Sequence, residues 1–245
     1  MGLDLDAIQR PFIVTDPNLG TTVEVVETRS TFTFMYGIGF LDHFQATLAV
    51  PLVFQRGGGI EAFSGDPDDR LNAGAVADIR LDLAYMPLDE APSIGGLHLD
   101  VGFAGGILAP TGDGMAFTGS RKFSGYVDAM ASARWGILRL GLQSGLRVRE
   151  TATILDVTWG SQALLAGGVA VHLVDDHLIL AAEAQILLGL TNNAASPAQV
   201  MGEVRVVLDR ERTALIVGFG GGINDQLGAP EWQIVAGFRH TPGTS

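Results

Sequence analysis

The chain has 245 residues, with 27 acidic against 15 basic side chains for a formal net charge of −12, and no cysteine. The acidic balance argues against a nucleic-acid partner, and the lack of thiols removes disulfides and thiolate metal sites. Apolar residues make up 47% and charged residues 17%, against about 25% charged in ordinary globular domains, so part of the surface is expected to avoid water. Yet no run approaches the roughly 18 uninterrupted apolar residues of a membrane helix. The remaining way to span lipid is a closed strand barrel, because every backbone group must then be paired internally. Met1 to Asp4 shows neither a basic region nor an apolar stretch, so the barrel reading implies that an export signal has been removed.

Twelve strands are read along residues 1–245, all in a single barrel domain. The first, residues 5–15, is weak, with Phe12 and Val14 on one side. The second, 23–40, sends Ser30, Phe32, Phe34, Tyr36, Ile38 and Phe40 outward and Glu27, Arg29, Thr31 and Thr33 inward. The third, 44–55, shows Phe44, Leu48, Leu52 and Phe54 outside and carries Pro51, which signals a bulge. A polar loop, 57–74, holds the acidic run Asp66, Asp68 and Asp69, a weak Ca²⁺ candidate without EF-hand spacing. The fourth strand, 75–86, puts Ala77, Ile79, Leu81, Leu83 and Tyr85 out and Asp78, Arg80 and Asp82 in. The fifth, 96–109, turns His98 and Asp100 inward. The sixth, 123–135, turns Tyr126, Asp128, Ser132 and Arg134 inward.

The seventh strand carries the clearest signal. From Leu138 to Val148 the even positions read Leu, Leu, Leu, Ser, Leu, Val and the odd ones Arg139, Gly141, Gln143, Gly145, Arg147, followed by Arg149. A period of two over this length belongs to a strand, since a helix repeats every 3.6 residues. After a loop at 150–159, the eighth strand runs to Val174 and the ninth, 178–190, has Glu183 and Gln185 inside. The tenth, 200–208, has Glu203 and Arg205 inside; the eleventh, 213–223, is apolar and glycine-rich; the twelfth, 232–240, has Gln233 and Arg239 inside. Strands of this length exceed the usual five or six residues of soluble sheets and fit an all-β, transmembrane, antiparallel up-and-down barrel.

Two regularities agree with that fold. Short turns at Asp42, Gly136, Asp175 and Asp209 alternate with longer connections near Asp66, Gly112, Thr153, Asn193 and Gln226, as short periplasmic turns alternate with outside loops in outer-membrane barrels. Outward aromatics gather at two levels. Phe40, Phe44, Tyr85, Trp135 and Phe238 mark the short-turn end, and Phe12, Phe54, Phe123, Trp159 and Trp232 the loop end, as interfacial girdles do.

The segments Ile8–Val14, Gly37–Phe44, Ala49–Gln55, Ala77–Leu81 and Leu108–Gly112, with Phe117-Thr118-Gly119, resemble the outer-membrane barrels that precede OmpA-like peptidoglycan-binding domains. The resemblance implies a Gram-negative outer-membrane location and an envelope anchor or porin-like element without catalytic residues. Phe238 resembles the terminal aromatic read by the barrel-insertion machinery. Expected partners are therefore that machinery, outer-membrane lipids (lipopolysaccharide and phospholipid) and other envelope proteins. No cofactor is expected. The pattern departs from the family in a short first strand and in showing no peptidoglycan-binding domain after Ser245.

The candidate site is the lumen. Its charged residues are Glu27, Arg29, Asp78, Arg80, Asp82, Asp100, Asp128, Arg134, Arg139, Arg147, Arg149, Glu183, Glu203, Arg205 and Arg239. They read first as an ion-pair network filling a small barrel around a structural, anchoring protein. The alternative is a channel for small polar or anionic solutes, with the seventh-strand arginines as an anion-attracting stripe. His43, His98, His172, His177 and His240 show no metal spacing. No serine, histidine and acid are brought together by the strand map, so an enzyme is not expected.

Overall fold

The computed structural model describes residues 2–241, apart from 17–20, 42, 59–70, 89–94, 113–118, 155–156, 175, 192–193, 209–212, 225 and 227. The acidic run at 66–69 and the side chain of Phe12 lie outside what is described. The elements are β1 (Gly2–Asp16), β2 (Thr21–Phe40), β3 (Phe44–Arg56), β4 (Gly74–Val76), β5 (Ile79–Leu88), β6 (Leu97–Ala109), β7 (Ser124–Trp135) and β8 (Leu138–Val148). They continue as β9 (Ala152–Ile154), β10 (Val157–Trp159), β11 (Gln162–Leu173), β12 (Leu178–Gly189), β13 (Ala198–Leu208), β14 (Thr213–Gly222) and β15 (Trp232–His240).

Along the main sheet each strand pairs antiparallel with the next, β3 with both β4 and β5 and β8 with β11, and β1 closes the ring by pairing with both β2 and β15. With β4 and β5 counted as one stave, the result is a closed barrel of twelve staves. Closure leaves the ring without the unpaired edge that would otherwise recruit another chain. β9 and β10 form a separate small hairpin in the connection between β8 and β11.

Three features depart from the sequence reading. The first strand is long: Gly2 pairs with Arg239 and Met35, and Asp16 pairs with Thr21. Its ladder to β15 stops at Gln9 and the β2–β3 ladder at Thr28, so the outer part of the β1–β2 hairpin rises past its neighbours. Register shifts between Gln9 and Ile13 blur the alternation there, which is why residues 5–15 read as weak.

The second departure is the interruption of the fourth stave. Leu52 pairs with Val76 and Ala49 with Arg80, so Val50 and Pro51 face three residues, Ala77, Asp78 and Ile79. This is a one-residue bulge. In an antiparallel strand a residue's N–H and C=O point to the same side. Pro51 accepts from the Ala77 N–H at 3.0 Å but has no N–H to return, so the ladder gives way opposite the proline. The third is the β9–β10 hairpin within a segment read as plain loop.

The two faces separate as the period of two requires. On β8, exposure alternates at every residue, with Leu140, Leu142 and Leu146 exposed. Phe34, Tyr36 and Ile38 on β2, Leu81 and Leu83 on β5, and Val217 and Phe219 on β14 are exposed on the same outer face. An apolar belt running around the barrel far exceeds the patches tolerated on water-soluble monomers and matches a hydrocarbon surrounding. The start of β1 and the end of β15 lie at the short-turn end, since Gly2 pairs with Met35 and Arg239.

Candidate functional site in the lumen

The inward residues of β5, β7 and β8 form one connected polar chain. Arg80 Nε donates to Asp82 Oδ2 at 2.9 Å, and the Tyr126 hydroxyl donates to Asp82 Oδ1 at 2.6 Å. The Arg147 guanidinium lies 4.6 Å from the centre of the Tyr126 ring and forks both oxygens of Asp128, the second at 3.1 Å. Gln143 Nε2 adds a third bond to Asp128, at 3.0 Å. The chain steps over β6 because Gly106 lies beneath it, where a Cβ would strike the Asp82 carboxylate and the Tyr126 ring. Gly145 clears the space for the Asp128 carboxylate in the same way.

Nearer the short-turn end, Ser132 donates to Asp100 Oδ2 at 2.8 Å, and Arg139 Nη2 donates to the same oxygen at 2.8 Å. A cavity of ≈ 320 Å³ opens beside Asp100, Ser132, Arg139, Gln143 and Glu183. At the turn itself Arg134 Nη2 donates to both oxygens of Asp176 at 2.9 Å, and His172 Nδ1 lies 2.8 Å from Asp176 Oδ1. The Arg134 bond, helped by His172, holds the Asp176 carboxyl below the usual carboxylate range. His98 is exposed.

The opposite wall is built from β15, β1, β2 and β3. Gln233 Nε2 donates to Asp6 Oδ1 at 3.0 Å, and Arg29 donates through Nε and Nη2 to Gln55 Oε1 at 3.1 and 2.9 Å. Gln55 passes the link to the Asn72 carbonyl at 3.1 Å. On β13, Arg205 Nη2 donates to Glu203 Oε1 at 2.8 Å, with Glu183 on neighbouring β12. Arg239 is exposed near the end of β15. Glu27 is also exposed, and it meets Arg56 only at 4.0 Å. It therefore sits at the water-filled rim and takes no part in the network deeper in the lumen.

At the loop end two clasps hold connections against the mouth. The Asp78 carboxylate at the bulge accepts from the backbone N–H of Gly112 and from both the N–H and the hydroxyl of Ser120, each at 2.9 Å. Thr111 Oγ1 donates to the Ala77 carbonyl at 3.1 Å and accepts from the Ile79 N–H at 2.9 Å. On the other side, Gln162 Nε2 donates to the Ala195 carbonyl at 3.3 Å, and the Ala195 N–H bonds the Thr158 carbonyl at 3.0 Å. Gln162 and Gly189 are opposed on the inner face, and Ala194 fills the space that a side chain on Gly189 would need. The connection after β12 therefore tucks into the mouth and meets the β9–β10 hairpin there.

Arg149 sits in this narrowed region. Its guanidinium lies 5.3 Å from the centre of the Trp159 ring, and no carboxylate of a described residue pairs with it. Burial, with Arg147 nearby, holds it below the usual arginine range. Trp159 itself packs against Gly228 and is half-buried. Its expected place among the lipid-facing aromatics is thus replaced by one in the mouth, because it belongs to the hairpin and not to a stave. The other aromatics keep to the strand ends. Phe40, Phe44 and Tyr85 stack in sequence with centroid spacings of 5.7 and 4.6 Å, and Phe54 meets Phe32 edge-on at 5.8 Å. Phe123, Trp135 and Phe238 are exposed, and Trp232 is half-buried as the first residue of β15.

Sequence reasoning missed Asp6, which Gln233 engages, and Asp176, which Arg134 and His172 engage. The alternation of Leu3, Leu5 and Ala7 with Asp4 and Asp6 was the available signal for the first. For the second, only the coincidence of a turn aspartate with inward Arg134 and His172 at the same end pointed the way.

No family model and no curated protein sequence matches the chain. Solved structures do. An outer-membrane channel from Pseudomonas putida F1 matches with a TM-score of 0.64 and 14% identity, over 98% of this chain and 93% of that one. The NanC porin matches with a TM-score of 0.58 and 8% identity, over 98% of this chain and 100% of that one. The KdgM porin, in complex with disordered oligogalacturonate, gives 0.53 and 8%, over 99% and 100%. The chain has the fold of the outer-membrane porins and channels. In such barrels the short turns face the periplasm and the longer loops face outside, which places the Asp78 and Gln162 clasps and Arg149 at the outer mouth.

Proposed function

We propose that this barrel is a diffusion channel for small polar or anionic solutes in the outer membrane of a Gram-negative bacterium. One observation carries the reading: each ion pair between described lumen residues lies along the wall, and none crosses it. Arg80 pairs with Asp82 and Arg205 with Glu203 on the same strand, Arg147 reaches Asp128 on the adjacent stave, and Arg139 reaches Asp100 two staves away. A network that filled the lumen would join opposite walls. At about 4.8 Å between strands and a tilt of about 40°, twelve staves enclose a ring about 24 Å across. With the described side chains folded back on the wall, a ring of that width has room for water along its axis. Arg80 and Arg139 accordingly stay 41% and 42% exposed although each holds a carboxylate.

The anchoring role, and kinship with OmpA-associated barrels, rest on the sequence resemblance alone; the likeness in fold to channels and porins supports the conducting role over them. The test is conductance across a planar lipid bilayer, using protein whose folded state is verified by its heat-dependent shift on a gel. Discrete current steps are expected. Correctly inserted protein with no current above background overturns the channel reading.

A further inference from the structure

The odd positions of β8 face the lumen and present arginines at three levels. Two of them are already neutralised. Arg139 is held by Asp100 at 2.8 Å, and Arg147 takes both oxygens of Asp128, which Gln143 also engages. Asp128 thus has little left to offer a second cation. Arg149, just beyond the end of the strand, has no such partner among the described residues. The neighbouring Glu150 pairs instead with Lys122 at 2.9 Å.

Arg149 is nevertheless held in place. Its N–H meets the Ser161 hydroxyl at 3.4 Å, the same hydroxyl faces its carbonyl at 3.5 Å, and its guanidinium lies over Trp159. A guanidinium covered on one face by an indole keeps its edge N–H groups, which form a fork matched to a carboxylate. The neighbours of Arg149 among the described residues are Trp159, Ser161 and Arg147, of which only Arg147 is a cation. The nearest cation, Arg147, lies one rung deeper and is neutralised.

We propose that Arg149 is a capture site at the outer mouth for the carboxylate of small organic acids carrying a single negative charge. The entry of such acids into the lumen rests on the channel reading; their binding does not. A partly desolvated cation with no counter-charge among the described residues draws an anion to the outer mouth. From there the anion passes Arg147 and Arg139 on β8, which are neutralised by Asp128 and Asp100 and so do not trap it. Tight binding at every level would stop conduction.

Binding is tested apart from conduction. The folded full chain in detergent micelles is titrated with sodium gluconate while tryptophan emission is recorded, with sodium chloride at equal ionic strength as the control. A saturable emission change is expected for gluconate and none for chloride. Trp159→Phe should abolish the change, since Trp159 is the tryptophan whose ring lies over Arg149. Arg149→Gln should weaken binding about tenfold or more, as loss of a charge-assisted fork implies, and Arg149→Lys should restore part of it. Indistinguishable curves for wild type and Arg149→Gln overturn the site, and tighter binding of inorganic phosphate than of gluconate overturns the single-carboxylate assignment. Each variant is admitted only if it shows the gel shift of the folded barrel. In bilayers under a KCl gradient, the reversal potential should favour anions and move toward zero in Arg149→Gln. Gluconate binding in micelles with silent bilayers refutes the channel and keeps the site; conduction without Arg149-dependent binding does the reverse.

Discussion

Substituting Leu142 by arginine, and separately Gln143 by arginine, places the same side chain on the two faces of one strand. Leu142 is 71% exposed on the outer face. Its partners across the ladder, Ala131 on β7 and Gly167 on β11, are too small to shield a guanidinium, and neither can pair with it. As the fifth residue of β8 it lies about 13 Å along the strand from the turn, at about 3.3 Å per residue, and about 10 Å in depth after the tilt. Snorkelling from that depth relieves only part of the cost, so the full range of about 2–4 kcal/mol for an arginine near the midplane applies. Gln143 faces the lumen and already donates to Asp128 at 3.0 Å. An arginine there keeps a donor in reach of the same carboxylate, and the change should stay within about 1 kcal/mol. Urea unfolding from phospholipid vesicles reads both differences, and the heat-dependent gel shift reads the folded fraction. Equal losses in the two variants, or the larger loss at position 143, would refute the assignment of faces.

Two further outcomes follow from the lumen geometry. Gly106→Ala should cost about 1–3 kcal/mol, because the new methyl displaces the Tyr126–Asp82 hydrogen bond of 2.6 Å. Gly105→Ala, whose methyl would meet nothing closer than 3.4 Å, is the matched control; equal urea midpoints for the pair would contradict the role of Gly106 beneath the Tyr126–Asp82 bond. Asp176 has a carboxyl lowered by Arg134 and then His172, so its stabilising effect is complete above the unfolded value near about 4 and is lost as pH falls through the lower folded value. The gap in urea midpoint between wild type and Asp176→Asn should therefore be steady above about pH 5 and close below about pH 4; a gap independent of pH would contradict it.

The staves were legible because alternation is a local property. Wherever lipid on one side and water on the other demand opposite chemistry, as from Leu138 to Val148, the residues themselves reveal which way they point. What escaped depends on residues distant in sequence. The motifs around Pro51, Ala77–Asp78 and Thr111–Gly112 were visible separately, but their common purpose was not. A proline that withholds a donor creates the bulge, and the bulge turns Asp78 to clasp the loop at Gly112 and Ser120. Asp6 was overlooked because the alternation from Leu3 to Ala7 is short and is broken beyond Gln9 by the register shifts of β1. Trp159 was misplaced because an aromatic near a strand end looks the same whether its segment joins the wall or folds over the mouth. The alternation gave the level of each lumen charge but not its lateral partner, since Arg139 reaches past Ser132 to a carboxylate two staves away.

The wall-lying pairs also explain why the two faces should respond so differently to substitution. A pair bathed by lumen water is screened and contributes about 0–1 kcal/mol, whereas an outer-face charge meets hydrocarbon with nothing to compensate it. Folding is therefore governed by the belt typified by Leu142, and the inner arginines are freer to vary. Asp128 marks the boundary of that freedom: at 4% exposure, with Arg147 and Gln143 on its oxygens, it is the carboxylate least reached by water. Asp128→Asn strands Arg147 in that dry spot, and breaking a buried pair from one side leaves its cation uncompensated. The urea midpoint should therefore fall further in Asp128→Asn than in Glu203→Gln, whose pair with Arg205 is 33% and 25% exposed; equal losses would contradict the distinction.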